Sequence, residues 1–328
     1  MCFLNQVFEN ITVIRKPNQM KIFKKAFAFF IITMLFVNYS MAQQEQAFTQ
    51  YMFAPSVYNP GYTGSQNAIC AGAIMKQQWV GFEGAPTVFA VTIESPIKLL
   101  HGGLGASVIT DKIGVFNTTG LKLKYSYHKK FGDALLGVGL GLGVVNQKVD
   151  FSLFNVSDDD PFLTGTEEES GMIFDMDAGV YFQQSDRWYV GLSSTRINEG
   201  SMDVAGGKTS LARSYYANGG YHFRFVRIPK IVVSPSILVA YTQDAPLLIH
   251  AAVLGEYNKR FWGGVVYMHQ NAIGVMAGVN YKNIKVGYAY DVNINPSKNG
   301  GSHEIRLGYC FKLEIDKAKR SYKNTRYL

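Results

Sequence analysis

The chain has 328 residues, of which 17% are charged, 14% aromatic and 33 Gly. An ordinary soluble domain carries roughly 25% charged residues and about 7% Gly, so the composition is charge-poor and weighted toward Gly and aromatics. An apolar fraction of 47% excludes disorder, and the presence of only one long apolar run excludes a bundle of membrane helices, each of which needs ~20 apolar residues.

That run lies near the amino terminus. Lys21, Lys24 and Lys25 precede the apolar stretch Ala26–Val37, and Ser40-Met41-Ala42 offers a small-x-small cleavage site before Gln43. Residues 20–42 therefore read as a cleavable signal peptide, with residues 1–19 an upstream false start before Met20. No Cys stands at the junction, so a lipid anchor is not expected. Residues 1–42 take net +4 of the formal +8 with them, and the tail 314–328 holds five basic residues against two acids. The body is thus close to neutral, which argues against nucleic acid as a partner despite a pI of 9.2.

Residues 43–68 form an N-terminal segment whose core, Gln50–Ser65, is rich in aromatic, amide and Pro-Gly content and lacks the alternation of a spanning strand. From residue 69 onward the pattern has period two. Leu121–His128, Ile284–Tyr290 and Ile305–Lys312 each alternate apolar with polar or small side chains. Fourteen strands are predicted, at 69–77, 87–95, 102–111, 118–130, 134–150, 175–184, 188–195, 214–225, 232–241, 247–257, 261–270, 272–281, 284–292 and 303–312. Connections after even-numbered strands are mostly tight, as at Phe131-Gly132-Asp133, Ser185-Asp186, Asn258-Lys259-Arg260 and Lys282-Asn283. Those after odd-numbered strands are longer, at 78–86, 151–174, 196–213 and 293–302, with a very short exception between the eleventh and twelfth. Short periplasmic turns and long external loops mark an outer-membrane barrel; a soluble sandwich has no reason to sort its loops. The expected fold is all-β, a transmembrane antiparallel β-barrel of about 14 strands over 69–313, followed by a basic periplasmic tail at 314–328.

Gly137-Val138-Gly139-Leu140-Gly141-Leu142-Gly143 puts its glycines on one strand face. It matches no phosphate-binding loop and suits close packing in a lumen or against a neighbouring chain. Asp158-Asp159-Asp160 and Glu167-Glu168-Glu169, followed by Asp175 and Asp177, lack an EF-hand pattern. A solvated external loop is expected there, the alternative being divalent cations that bridge to surface polysaccharide. The six His are scattered, and neither HExxH nor a GxSxG elbow occurs. No catalysis, cofactor or metal is expected. Cys70 starts the first strand and Cys310 nears the end of the last, and barrel closure pairs those strands. In an oxidising periplasm the two either form a disulfide latch or remain small hydrophobes, as the register decides.

Two segments are more specific than any composition: Gln50-Tyr51-Met52-Phe53-Ala54-Pro55-Ser56-Val57-Tyr58-Asn59-Pro60-Gly61-Tyr62-Thr63-Gly64-Ser65 and Gln77-Gln78-Trp79-Val80-Gly81-Phe82-Glu83-Gly84-Ala85-Pro86-Thr87. With Asp111-Lys112-Ile113-Gly114, Tyr290-Asp291 and Gly301-Ser302-His303-Glu304-Ile305, the chain resembles the PorP/SprF family of type IX secretion system membrane proteins of Bacteroidetes. Gly61 stands where that family more often has Ala, and Gln77 where Arg is usual before Gln-Trp. The resemblance implies a non-enzymatic outer-membrane barrel that works with other type IX components on the periplasmic side. It also implies assistance to the export or surface attachment of particular cargo, often adhesins, including those of gliding cells. A porin-like solute channel is the alternative. Partner or cargo contact is expected at Gln50, Tyr51, Met52, Tyr58, Asn59 and Pro60, in a segment that covers the periplasmic mouth, enters the lumen as a plug, or docks periplasmic partners. Gln78, Trp79, Phe82, Glu83 and Pro86 lie in the first external hairpin, where they either sit at the interfacial girdle or meet cargo. His303 and Glu304 are expected to form a structural pair in the lumen. Outer-membrane lipid completes the expected partners.

Overall fold

Alternating side chains point to opposite faces of a strand, and the period-two segments form strands along nearly their whole length. The computed structural model describes residues 47–150, 169–185, 187–204, 207–294 and 300–312. The signal peptide, the residues before it, the acidic stretch as far as Glu168 and the tail 314–328 lie outside the described residues. The first strands are β1 (Ala68–Gln77), β2 (Thr87–Ile97), β3 (Gly102–Ile113), β4 (Phe116–Phe131), β5 (Ala134–Val149), β6 (Glu169–Gln184) and β7 (Trp188–Thr195). A small hairpin follows, β8 (Ser201–Val204) with β9 (Gly207–Ser210), and then β10 (Ser214–Tyr221) and β11 (Phe223–Arg224). The ring continues through β12 (Ile231–Thr242), β13 (Leu248–Tyr257), β14 (Phe261–Met268), β15 (Ala272–Tyr281), β16 (Ile284–Asn293) and β17 (Ser302–Lys312).

Neighbouring strands pair antiparallel around the ring, and β1 meets β17 at the seam between the chain's first and last strands. β11 continues β10 in one register on β12, so fourteen staves close the barrel. The break between them, at His222, lies beside Pro235 of β12, which has no N–H to give to the ladder. Closure leaves no free edge, the condition that hydrocarbon imposes on any spanning sheet. These are the fourteen strands expected from the alternation, with two differences. β6 starts at Glu169 because its ladder with β5 runs on to the Val149–Glu169 pair. The connection at 196–213 carries the β8–β9 hairpin, which packs Met202 onto Val149 and Ile173.

The outward faces are apolar. Leu121 and Leu123 of β4, Val286 and Tyr288 of β16, and Ile305, Leu307 and Tyr309 of β17 are all exposed. An apolar belt of this extent belongs against lipid rather than water. Outward aromatics collect near both ends, with Phe131, Tyr257, Phe261, Tyr281 and Phe311 at one and Phe116, Tyr215, Tyr241 and Tyr267 at the other. The first set lies at the rim of short turns and the second at the rim of longer loops, where Gly114-Val115 and His269–Asn271 are short exceptions. The inward faces mix small, polar and apolar side chains, and the apolar core lies inside the barrel. There Phe48, Tyr51 and Tyr58 of the N-terminal segment pack with Leu238, Trp262, Val266, Met268 and Met276 of the wall.

Candidate functional site

Residues 47–66 enter the lumen. The segment folds as a 3₁₀ turn at Tyr51–Phe53, one helical turn α1 at Pro55–Tyr58, and a second 3₁₀ turn at Pro60–Tyr62. Short turns suit this sequence, because Pro55 and Pro60 each open one and Asn59, in extended conformation, ends α1. The segment starts in the half of the barrel near the long loops, descends to the short-turn rim, and there turns into β1.

Its upper end is held by charge. Lys76, next to the end of β1, bonds Asp291 of β16 at 2.9 Å and approaches Glu304 of β17 at 3.9 Å. The Thr49 hydroxyl accepts from Lys76 at 2.9 Å and donates to Asp291 at 2.7 Å. Each oxygen of Glu304 takes one backbone N–H of the segment, from Thr49 at 2.6 Å and from Gln50 at 2.8 Å. Glu304 is fully buried, and Lys76 and Asp291 nearly so. One cation faces two carboxylates, and the two main-chain donors help to balance the second anion. The Gln50 side chain lies against Gly287.

Aromatic contacts hold the middle. The Tyr51 hydroxyl pairs with Ser236 at 2.9 Å. Phe53 packs on Trp262 with ring centres 4.6 Å apart, and the Arg306 guanidinium stands 4.7 Å from its centre. Tyr58 meets Tyr216 at 5.5 Å and accepts from the Phe48 N–H at 2.9 Å. Lys124 donates to the Ser56 carbonyl and Ser193 to the Tyr58 carbonyl, so wall side chains take up the orphan carbonyls of α1. Burial raises the pKa of the Tyr51 and Tyr62 phenols above the ordinary tyrosine value, so both stay neutral.

The lower end rests on glycine. Asn59 accepts the Gly61 N–H at 2.8 Å and donates its amide to the Val180 carbonyl at 3.0 Å. A Cβ at Gly179 or Gly191 would overlap that amide, so the missing side chains let Asn59 reach the main chain of the wall. Pro60 and Gly61 lie on Gly137 and Gly139, where a Cβ would strike their backbone. Thr63 and Gly64 lie on Gly103 in the same way. Ser126 donates to the Gly61 carbonyl at 2.8 Å, and the Gly64 N–H donates to Glu94 at 3.2 Å. Gly137 and Gly139, two of the four alternating glycines of β5, thus form part of a bed for the plug. At the exit Gln66 lies 3.2 Å from Cys70 Sγ. Cys70 and Cys310 are register partners across the seam with Cα atoms 4.1 Å apart, and their sulfur atoms lie at bonding distance.

The eleven residues expected to contact partners fall into two groups. Gln50, Tyr51, Met52, Tyr58, Asn59 and Pro60 are inside the barrel, and all but Met52 are buried. Gln78, Trp79, Phe82, Glu83 and Pro86 are at the long-loop rim. There Gln78 and Pro86 are buried and close the hairpin by the Gln78 N–H to Pro86 carbonyl bond of 2.9 Å, while Phe82 and Glu83 are exposed. The hairpin leans on the β16–β17 loop through the Val80 N–H to Gly301 carbonyl bond of 3.0 Å. The expected lumenal pair of His303 and Glu304 does not form. Adjacent strand residues face opposite ways, so Glu304 points inward while His303 bonds the Tyr288 hydroxyl on the outer face at 2.6 Å. Asp175 and Asp177, which follow the acidic stretch and open the sixth predicted strand, are buried on β6, where Lys122 bonds them at 2.8 and 2.7 Å. Sequence reasoning missed Lys76, Asp291 and Arg306 as holders of the plug, although all three are charges at inward positions of apolar strands.

The family model described as type IX secretion system membrane protein PorP/SprF matches residues 40–309. The chain belongs to this family. Its fold is similar to the Ralstonia pickettii toluene transporter TbuX, with TM-score 0.50, 11% identity, and coverage of 83% of this chain and 96% of that one. The Pseudomonas putida toluene transporter TodX matches at TM-score 0.47 and 10% identity over 84% and 95% of the two chains. No match was found among curated proteins by sequence. PorP/SprF membership and the closed antiparallel barrel identify an outer-membrane component of type IX secretion.

Proposed function

We propose that this PorP/SprF protein is a plugged, non-enzymatic scaffold that assists the export or surface attachment of specific type IX cargo such as adhesins. The filled lumen carries this reading: residues 47–66 occupy the space through which a solute would pass. A channel needs a continuous aqueous path, and side chains such as Phe48 and Met276, both 2% exposed, offer none. Short turns face the periplasm in barrels of this kind. In that orientation the exit of the plug at Gln66 faces the other secretion components, and the hairpin bearing Phe82 and Glu83 faces cargo. The opposed Cys70 and Cys310 support a disulfide latch on the seam where the plug leaves the wall, in an oxidising compartment.

The test is a comparison of culture-medium and cell-surface proteomes between wild type and a clean deletion. Loss of one or a few type IX substrates is the expected result. Loss of all of them would make the barrel a core component instead. Unchanged fractions, with steady ion conductance of the purified protein in planar bilayers, would favour a solute channel.

A further inference from the structure

Six turns form the short-turn rim; Lys98, Arg187, Arg227, Lys259 and Lys282 are exposed cations in five of them, and the exposed Lys129 and Lys130 end β4 just before the sixth, Gly132-Asp133. In all, ten exposed Lys and Arg side chains stand there against one exposed carboxylate, Asp133, among the described residues. Two of these cations are tied to the lipid-facing belt. Lys129 lies 5.6 Å from the ring centre of Phe131, and Lys282 lies 5.5 Å from that of Tyr281. Both aromatics point outward at the last turn of their strands. Lys259 and Lys282 also occupy left-handed backbone positions, φ 56° and 54°, where glycine or asparagine would be less strained. The same rim bears the apolar tips Leu99 and Val226, 87% and 96% exposed.

We propose that this collar binds the phosphate headgroups of anionic phospholipids in the adjoining leaflet. The ammonium and guanidinium groups meet phosphate while Leu99 and Val226 dip among the upper acyl carbons, the arrangement that long cationic side chains adopt at an interface. The charges encircle the barrel instead of gathering on one arc, and they sit at the level of the aromatic belt. Both features match a membrane plane better than a protein docked on one side. Only the choice of leaflet rests on the orientation proposed above; headgroup binding does not.

The experiment places the full-length protein in nanodiscs of mixed phosphatidylglycerol and phosphatidylcholine and counts the retained lipids by native mass spectrometry. Wild type is expected to retain phosphatidylglycerol preferentially, and added salt to weaken that preference. Neutralising Arg224, Arg227 and Lys230 to Gln should reduce it, by up to about fivefold for each charge removed. Lys98→Gln gives a single-site check should the triple variant not fold. Equal retention of the two lipids by wild type would overturn the proposal. So would an unchanged preference in the variants, and loss of an acidic periplasmic protein from pull-downs without any change in lipid preference would assign the collar to that protein instead.

Discussion

Residues 47–50 and residues 59–64 are buried in the same lumen, yet the wall meets them with opposite materials. The upper end is held by Lys76, Asp291 and Glu304, three charges that depend on one another. The lower end is held mostly by the absence of side chains at Gly103, Gly137, Gly139, Gly179 and Gly191. A buried ionic cluster loses its value when one member is removed, because the remaining charge is left without a partner. A glycine bed contains nothing to neutralise, and only added volume disturbs it. The clamp is therefore the end that a local event can release, and the bed is the end that fixes where the segment lies.

The largest effect is expected from Lys76→Met. It leaves two buried carboxylates without their cation and should cost about 3–5 kcal/mol, read from denaturant unfolding in lipid. Hydrogen exchange should rise at the Thr49 and Gln50 amides and stay slow at Gly61 and Gly64. A loss below about 1 kcal/mol would mean that the clamp behaves as an exposed ion pair, and the contrast between the two ends would fail. Next comes the exit. Cys70→Ser combined with Cys310→Ser should lower stability by about 2–4 kcal/mol without opening the lumen. A non-reducing peptide map that finds both thiols free would remove the latch. Third is Gly139→Val, whose side chain meets Pro60 and the Gly61 N–H, that is, backbone that has nowhere to go. Overpacking of this kind costs about 1–3 kcal/mol, and here it should unseat the whole segment and make a silent barrel conduct. Gly141→Ala is the control, because the atoms nearest a Cβ there belong to the Asp177 side chain, at 3.2 Å or more, and not to the plug.

The fold was legible because hydrocarbon enforces alternation on every stave, so each of the fourteen strands announces itself locally. The β8–β9 hairpin was not legible, because it lies above the belt, where no such rule applies, and Met202, which packs it onto the wall, reads as an ordinary loop apolar. The glycines of 137–143 were visible as one small face, but their occupant was not. Nothing local connects Gly139 to Pro60. The clamp is harder still, since Thr49 and Glu304 are 255 residues apart. One signal did exist. The short pieces Tyr290-Asp291 and Gly301–Ile305 stood out by resemblance, and the structure brings Asp291 and Glu304 from those pieces onto Thr49 and Gln50. The pairing of His303 with Glu304 failed for a simpler reason, as neighbours in a strand cannot share a face.

The smallest effect on stability is expected at the hairpin, and it bears most directly on cargo. Phe82 is 60% exposed and Glu83 is also on the surface, so Phe82→Ala and Glu83→Gln should each change stability by no more than about 0.5 kcal/mol. Surface display of the dedicated cargo should nevertheless fall, as measured by proteomics of intact cells. The hairpin is joined to the clamp at two points. Gln78 follows Lys76 by two residues, just past the end of β1, and the Trp79 N–H lies 3.4 Å from the Ser302 hydroxyl, two residues before Glu304 on β17. Among the described residues no comparable link runs to the glycine bed, which lies at the opposite end of the lumen on β3, β5, β6 and β7. Force or ordering imposed on the hairpin by cargo should therefore change hydrogen exchange at Thr49 and Gln50 and leave Gly61 unchanged. Equal changes at both ends would mean that the segment moves as one body and that clamp and bed are not separate devices.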